Sequence, residues 1–285
     1  MDMDLNYLAP GPIDVTSLHH CIDGLKDRYQ IFYSDADFGR TARYKSLGLH
    51  HQILYPDSRL SLPHAERDED EFVLVLSGNP VVWIDGEVYS LNAGDAVVFP
   101  SGTGVCHTFI NKSEEECELL VFGEKGRPGH QFIYPFHGDL RENCVEKWWD
   151  EWPKRSFGSH KGSIEEEVVM STKDRSEIIR QSLEQVRSFS QEESGHYTFP
   201  LLSKIGVELT YIPVGHKSPL CLNSGEEELF LYVIEGELDF VCNGATVKVK
   251  AKEAVPFIRG EMASYTLQNV SSAGALVISC IGKKN

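Results

Sequence analysis

The feature that most constrains the fold is an internal repeat, because the two halves of the chain match at a fixed offset of 158 residues. The aligned pairs are Gly78 with Gly236, Asp85-Gly86 with Asn243-Gly244, AVVF at 96–99 with AVPF at 254–257, Gly102 with Gly260, Thr108 with Thr266, and Asn111 with Asn269. Glycines, a hairpin turn, a strand and an asparagine in one register indicate a duplicated unit. The 285 residues are therefore expected to form two similar domains.

Short apolar runs, separated by Gly, Pro, Asn and Asp, fill both halves of the chain. Examples are EFVLVLSG, VVWID and AVVFP in the first half and FLYVIEG, ELDFVC and TVKVKA in the second. Many short strands with turn signals at close intervals are typical of a β-sandwich or a β-barrel. The predicted fold class is therefore all-β, with one barrel in each half.

Helical patterns are scarce and short. One helix is predicted in SLHHCIDGLKDRY, with Thr16 or Ser17 as its cap, and another over 174–189, where apolar residues recur at roughly helical spacing. We therefore expect helices only in the N-terminal arm and in the connector between the halves.

The connector contains a tryptophan-rich stretch, EKWWDEWPKRSFGSHKGSIEEE, at 146–167. We interpret it as an extension of the first domain followed by a linker, which predicts domains at 1–163 and 164–285. Trp148, Trp149 and Trp152 are expected either to cover a ligand as a lid or to form a hydrophobic plug between the domains, and the plug is favoured.

Charge and cysteine usage restrict partners and compartment. The net charge is −16, and an acidic surface repels phosphate backbones and anionic membranes, so neither is an expected partner. The N-terminal MDMDLNYLAPGP lacks the apolar run of a secretory signal, and no stretch approaches the roughly 18 apolar residues of a spanning helix. Seven scattered cysteines without a CxxC motif favour reduced thiols. We expect a cytoplasmic monomer or homodimer that binds a small molecule.

The stretch LPHAERDEDEFVLVLSG, at 62–78, carries the candidate chemistry. His64, Glu66 and Glu71 precede a strand, and His107 begins another strand about forty residues later. Imidazole and carboxylate together bind Fe, Mn, Ni or Zn, and three or four protein ligands leave positions open for water or substrate. The remaining acidic residues, Asp68 to Asp70, are expected to form a hydrated loop, as is the charge run at 226–228.

These stretches resemble the two motifs of the cupin superfamily. The first motif, G-x5-H-x-H-x3-4-E-x6-G, is followed in spacing by His64, Glu71 and Gly78. The second, G-x5-P-x-G-x2-H-x3-N, is matched by Gly94, Pro100, Gly102, His107 and Asn111, with four residues instead of two before the histidine. The resemblance covers roughly 47–125 and 205–283. It implies jelly-roll barrels, the first holding a metal ion on His64, Glu71 and His107.

The chain departs from the family pattern in two ways. Glu66 stands where the second histidine belongs, so either a more anionic site with higher affinity for Mn or Fe results, or Glu66 points away and three ligands remain. In the second half the ligand positions hold Leu222, Ser224, Leu229 and Tyr265. The second barrel is therefore expected to keep the fold and to lack the metal.

Strand alternation suggests which side chains line the site. Val73 shares parity with Glu71, and Phe109 shares parity with His107, so both are expected to line the barrel. His51 and Tyr55 share one face of the preceding strand, and they are predicted either to contact the substrate or to lie on the outer face. Cys106, next to His107, is expected to face away from the site.

Two functional hypotheses follow. The leading one is a metal-dependent enzyme of oxygenase, decarboxylase or isomerase type that acts on a small molecule in the first barrel, with a Zn, Mn, Fe or Ni ion. The other is a non-enzymatic protein that binds or senses a sugar or an acid and holds a structural metal. A roomy pocket at an open metal favours the enzyme, whereas a closed ion in a dry barrel favours the structural role.

Overall fold

The computed structural model describes residues 12–125, 128–188, 194–219, 221–223, 226–257 and 263–282. In the arm and the first half the strands are β1 Ile13–Asp14, β2 His20–Leu25, β3 Ile31–Asp37, β4 Leu47–Leu54, β5 Ser58–Arg59, β6 Ala65–Glu66, β7 Glu71–Ser77, β8 Val81–Ile84, β9 Glu87–Ser90, β10 Ala96–Phe99, β11 His107–Asn111, β12 Cys117–Glu124, β13 Phe132–Ile133 and β14 Ile178–Ile179. In the second half they are β15 Gly195–Thr198, β16 Ile205–Ile212, β17 Cys221–Asn223, β18 Leu229–Glu235, β19 Glu237–Cys242, β20 Ala245–Lys250, β21 Glu253–Phe257, β22 Ala263–Gln268 and β23 Ala275–Gly282.

The helices are all short. The α-helices are α1 Lys26–Tyr29, α2 Phe38–Thr41 and α3 Ser182–Ser188, and the 3-10 helices are Val15–Leu18, Gly138–Asn143 and Val145–Lys147. The helix predicted from residue 17 onward is wrong in its centre, because His20–Leu25 pairs with β3 as a strand. The second prediction is half right: α3 is helical, but Ile178–Ile179 adds a strand to β10, and residue 189 lies outside the described ranges.

The sequence repeat is a structural repeat. Strands β4, β7 and β12 recur as β16, β18 and β23 at the same offset of 158 residues. Gly78 and Gly236 end equivalent strands with φ of 81° and 84°, a conformation that glycine adopts without steric cost. The side-chain amide of Asn111 donates to the carbonyl of Leu54 at 3.0 Å, and that of Asn269 donates to the equivalent carbonyl of Ile212 at 2.9 Å. The same side-chain hydrogen bond therefore joins equivalent segments in both barrels.

The sheets curl into two antiparallel barrels. The first is an eleven-stranded sheet in the order β14-β10-β7-β12-β4-β3-β5-β11-β8-β9, with β2 added to β3. The second is built from β1-β21-β18-β23-β16-β15 and β17-β22-β19-β20, and a small pair, β13-β6, stands apart. Two strands pair across the predicted domain boundary. β1, from the first predicted domain, pairs with β21, and β14, from the second, pairs with β10. The domain limits at 163 and 164 stay a prediction.

Strand alternation divides the apolar side chains of the described residues into four clusters, of which three fill the two barrels and the space between them. On β7, Val73 and Val75 face the interior of the first barrel, whereas Phe72 and Leu74 face the second barrel. On β18, Leu231 likewise lies in the interior of the second barrel. A shared core of outward-facing side chains from both barrels therefore holds the halves together, because burial of apolar surface is the dominant favourable contribution.

Two buried carboxylates reinforce this interface reciprocally. Asp70 accepts backbone N–H bonds from Ser203 and Lys204, both at 2.6 Å, at the start of β16. Glu228, its equivalent in the repeat, accepts from Lys45 at 2.6 Å and Ser46 at 2.8 Å, at the start of β4. The two halves thus exchange the same contact about a pseudo-twofold axis. The prediction that these acidic residues are hydrated is wrong, since Asp70 is 0% and Glu228 1% exposed.

Candidate metal centre

Three strands bring the predicted ligands together at one end of the first barrel. Glu71 is the first residue of β7, and His107 is the first residue of β11. His64 lies just before β6 and forms an antiparallel bridge with His107, with N–H to O=C distances of 3.1 and 2.9 Å. Because paired residues share a face of the sheet, both imidazoles emerge on the same side.

The three side chains form a compact set of donor atoms. One nitrogen of His64, one of His107 and one oxygen of Glu71 all lie within 4.8 Å of one another. The Nε2 of His107 is 3.2 Å from Oε1 of Glu71, and the two imidazole centroids are 4.7 Å apart. The ring of His107 stacks on Phe99 at 3.6 Å, which fixes its plane.

Backbone carbonyls fix which nitrogen of each ring carries the proton. The Nδ1–H of His64 donates to the carbonyl of Leu62 at 2.9 Å, and that of His107 donates to the carbonyl of Val105 at 3.2 Å. Nε2 of each neutral ring is therefore a lone-pair acceptor. Metal-bound histidines are oriented in this way by their second nitrogen.

The electrostatics of the cluster fit a cation. Nε2 of His107 is buried without a hydrogen-bond partner among the described residues. When the ring is neutral, this nitrogen and the carboxylate of Glu71 are two acceptors that face each other. Burial and the neighbouring His107 lower the pKa of His64 to about 4. Burial alone would raise the pKa of Glu71, but His107 and then His64, in their protonated forms, outweigh it and lower that pKa. Facing acceptors repel unless a cation or a proton lies between them.

Glu66, the predicted fourth ligand, lies in a neighbouring cluster with Glu69 and His130. Nε2 of His130 is 3.8 Å from Oε1 of Glu66, and its Nδ1 is 3.3 Å from Oε1 of Glu69. Burial, Glu71 and Glu69 raise the pKa of Glu66 well above its ordinary value. The role of Glu66 as a ligand stays a prediction. Sequence reasoning missed His130, because no motif connects it to the barrel.

Both clusters border one small cavity. Its lining residues are Ala65, Glu66, Glu69, Glu71, Phe99, Pro100, Thr103, Val105 and His107. Its volume is about 10 Å³, which is close to the space needed for a single water molecule. Only a very small molecule or an ion fits there without displacement of the surrounding side chains.

The segment after the first barrel covers this end of the site. β13 pairs with β6 next to His64, and the ring of Tyr134 lies 6.0 Å from that of His64. Trp148 and Trp149 pack with Trp83 and Ile110 on the outer face of β8 and β11. The favoured prediction of a plug between the domains is therefore wrong, because the tryptophans join the outer wall of one barrel.

The predicted pocket residues separate into two groups. Val73 and Phe109 lie in the interior cluster that also contains Phe99. His51 instead faces the other barrel: its Nδ1 is 2.9 Å from Nε2 of His19, and its ring centroid is 6.3 Å from that of Tyr232.

Tyr55 is also placed elsewhere, since its ring packs on Phe32 at a centroid distance of 4.4 Å. The structure therefore brings neither His51 nor Tyr55 to the metal cluster, which corrects their predicted placement in the pocket. The expected orientation of Cys106 is confirmed, because its side chain lies in the outer cluster with Trp83. None of the seven cysteines forms a disulfide. In the part of the chain that the structure describes, no helix is long and apolar enough to cross a bilayer.

Comparison with known proteins supports the fold. Residues 50–123 match the family model described as a cupin domain. The solved structure of an oxalate decarboxylase mutant from Bacillus subtilis is similar with a TM-score of 0.62 and 14% identity, over 99% of this chain and 80% of that one. An oxalate decarboxylase from Lactobacillus farciminis in complex with formate is similar with a TM-score of 0.61 and 17% identity, over 98% and 87%. Curated proteins give no significant sequence match.

Proposed function

We propose that this chain, whose residues 50–123 match the cupin-domain model, is a metal-dependent enzyme acting on a small carboxylic acid in the first barrel. His64, Glu71 and His107 hold the ion. The observation that carries the proposal is the 3.2 Å approach of the buried Nε2 of His107 to the carboxylate of Glu71, two groups that are both acceptors when His107 is neutral. A divalent cation converts this repulsion into attraction, since ion and ligand charges are then opposite.

The donor set limits the ion and its chemistry. Two imidazoles and a carboxylate suit Mn, Fe, Ni or Zn, and the further oxygen donors that Glu66 and Glu69 place beside the cavity favour Mn or Fe. When bound, such an ion polarises a coordinated carboxylate or water as a Lewis acid. Three protein ligands leave coordination positions for substrate.

The remaining residues of the site bind and position. Glu66 lies against the cavity beside Glu71, where it is placed to exchange a proton with a bound molecule, and Nε2 of His130 lies 3.8 Å from it. The stacked ring of Phe99 keeps His107 in its coordinating orientation. Val73 and Phe109 supply an apolar wall that keeps water out of the barrel interior.

The small size of the site supports a small substrate. A cavity of about 10 Å³ holds about one water molecule, so a small acid requires less displacement of the surrounding side chains than a sugar does. Oxalate is the first acid to test, because the similar solved structures are oxalate decarboxylases.

The test combines metal content with turnover. Protein purified without a histidine tag is analysed by plasma mass spectrometry, then stripped and reloaded with Mn, Fe, Ni or Zn. We expect one ion per chain in the wild type, little in His64→Ala or His107→Ala, and consumption of oxalate or a related small acid by the Mn or Fe form. A wild type that takes up none of the four metals contradicts the proposal.

A second candidate, a binding protein with a structural metal, is favoured by the closed cavity alone. The two candidates differ in whether solvent reaches the ion. Water-proton relaxation of the Mn form distinguishes them: strong enhancement shows an exchangeable water on the ion, as an enzyme requires, whereas a value near that of buried Mn supports the structural role.

A further inference from the structure

A second polar group faces the interior of the first barrel near Glu71. Across strands β7, β12 and β4, Glu71 lies opposite Gly123, which lies opposite Gly48. In the next inward-facing row, Val73 lies opposite Val121, which lies opposite His50. Residues that are directly paired point to the same face, so His50 shares the interior face with Glu71.

The positions beside Glu71 at this end of the barrel, its mouth, are glycines. Gly123 pairs with Glu71 and Gly48 pairs with Gly123, so neither position places a side chain on the interior face. Although both face inward, Glu71 keeps 21% and His50 31% of the side chain exposed. Two strand spacings and a two-residue offset separate their Cα atoms by roughly 12 Å. His50 and Glu71 therefore present two partly exposed side chains on the same interior face, one row apart.

A carboxylate on the neighbouring strand holds His50 in place. Nδ1 of His50 is 3.1 Å from Oδ1 and 3.2 Å from Oδ2 of Asp35, and the amide of Gln52 also donates to Asp35 at 3.2 Å. Asp35 is buried, so this bond is shielded from water. The arrangement fixes the ring and leaves Nε2 as the nitrogen not tied to Asp35.

The charges around His50 favour its protonated form. Burial alone would lower the pKa of His50, but the hydrogen bond and charge of Asp35, followed by the charges of Asp37 and Glu71, outweigh it and raise that pKa. The positions opposite on β12, Val121 and Gly123, carry no charge. A donor with positive charge therefore faces the barrel mouth.

We infer that His50, positioned by Asp35, donates from Nε2 to a carboxylate of the small acid whose other end occupies the His64–Glu71–His107 site. This inference rests on the proposed function and specifies how its substrate is recognised. A charge-assisted bond to a carboxylate is about twice as strong as a neutral one. His50 is thus a specificity-determining residue, and Asp35 is a positioning residue.

The second barrel supplies a matched control. There His196 pairs with Thr210 as Asp35 pairs with Gln52, and Nδ1 of His196 is 3.1 Å from Oε1 of Glu208, which is the repeat equivalent of His50. In the first barrel the carboxylate is on β3 and the imidazole on β4, whereas in the second the imidazole is on β15 and the carboxylate on β16. The second pair therefore joins two strands, but the position equivalent to His50 holds an acid. Beside it, Leu229 replaces Glu71. A purely structural role therefore predicts similar effects when either pair is broken.

The experiment measures binding of oxalate, formate and acetate to the Mn-loaded full chain by calorimetry. The variants are His50→Asn, Asp35→Asn and the control Glu208→Gln, each with its Mn content measured. We expect unchanged Mn content throughout, affinity for at least one acid reduced roughly 10- to 100-fold in His50→Asn, and a smaller reduction in Asp35→Asn. Glu208→Gln should bind as the wild type does.

The outcomes separate this inference from the proposed function. Unchanged acid affinity in His50→Asn overturns the inference, as does a Mn-loaded wild type that binds none of the three acids, while the metal site then stands. Equal losses in His50→Asn and Glu208→Gln also overturn it. If the wild type binds no Mn, the proposed function fails, and binding measured on the metal-free chain decides: acid binding that depends on His50 supports the inference, and its absence overturns it.

Discussion

The two barrels share a backbone and differ in what fills them. In the first barrel Phe99 stacks on His107 at 3.6 Å, next to Glu71. In the second, the equivalent Phe257 stacks on Tyr265 at 5.5 Å, and Leu229 replaces the carboxylate. Burial and the nearby Cys221 raise the pKa of Tyr265, so its neutral phenol fills the position of an imidazole.

This difference separates the residues that build the barrel from those that give it chemistry. The glycine turns, the asparagine ties and the reciprocal carboxylates Asp70 and Glu228 occur in both halves. The candidate metal ligands His64, Glu71 and His107 occur only in the first half. Because the second barrel forms without them, the proposed ligands are not needed for folding, and fold and function are carried by different residues.

The largest expected effect is the loss of metal affinity when His107 is replaced by tyrosine, the residue at the equivalent position 265 of the second barrel. His107→Tyr should keep the fold, since Phe257 and Tyr265 already show that the stack accepts a phenol. Metal affinity should fall by more than the roughly 10- to 100-fold that loss of an outer-shell partner costs, because a ligand is removed. Mass spectrometry of the purified variant measures the ion, with Tyr265→Phe as the control that should retain full metal content.

The core between the barrels should respond symmetrically. Phe72 and Phe230 are both buried in the shared apolar cluster, on equivalent strands. Phe72→Ala and Phe230→Ala should each lower the free energy of unfolding by about 3–5 kcal/mol, because truncation removes buried apolar surface and leaves a cavity. Urea titration followed by fluorescence measures both. A loss in only one variant would show that one barrel folds without the support of the other.

The reciprocal carboxylates should contribute less and should depend on pH. Asp70→Asn and Glu228→Gln are each expected to cost about 1–3 kcal/mol, since each leaves buried N–H groups without a charged acceptor. Burial would raise the pKa values of Asp70 and Glu228, but their N–H donors lower both below the ordinary 3.8 and 4.5. Their stabilisation is therefore fully present above those values and lost as pH falls through the lowered ones.

Thermal unfolding from pH 7 to pH 3 tests this directly. The double variant should lose less stability on acidification than the wild type does. An identical pH slope in both proteins would show that the two carboxylates do not couple folding to pH.

The smallest expected effect on the free energy of unfolding is at the two imidazole–carboxylate pairs, His50 with Asp35 and His196 with Glu208. Asp35 is buried, whereas Glu208 keeps 40% of its side chain exposed, so solvent screens the second pair. Glu208→Gln should change stability by at most about 1 kcal/mol, and Asp35→Asn should cost more. Chemical denaturation of the two single variants compares them, and the reverse order would contradict the assignment of Asp35 to a shielded site.

The sequence predicted the features that are local or repeated. The 158-residue offset, the hairpin turns and the barrels are confirmed by the structure. The structure also places His64, Glu71 and His107 together, and their role as metal ligands stays a prediction. Each depends on spacing within a strand or on comparison of the halves. The strand at His20–Leu25 escaped prediction because its pairing with β3 overrides the helical pattern of the segment.

Features that depend on register or on distant partners could not be predicted. A one-residue change of register exchanges the two faces of a strand, and for this reason the sequence left open whether His51 lies in the pocket or on the outer face. Asp70 and Glu228 read as hydrated charges because the N–H groups that they accept lie in the opposite half of the chain. His130 reaches the site from the segment beyond the barrel, through the pairing of β13 with β6.

The central claim is that one barrel holds a metal ion and its twin does not. Anomalous diffraction from crystals of Mn- or Fe-loaded protein, collected on both sides of the absorption edge of the metal, tests it most directly. The account predicts one peak bonded to Nε2 of His64, Nε2 of His107 and the carboxylate of Glu71, and none beside Tyr265. A loaded crystal with no peak at His107, or with a peak in the second barrel, would contradict it.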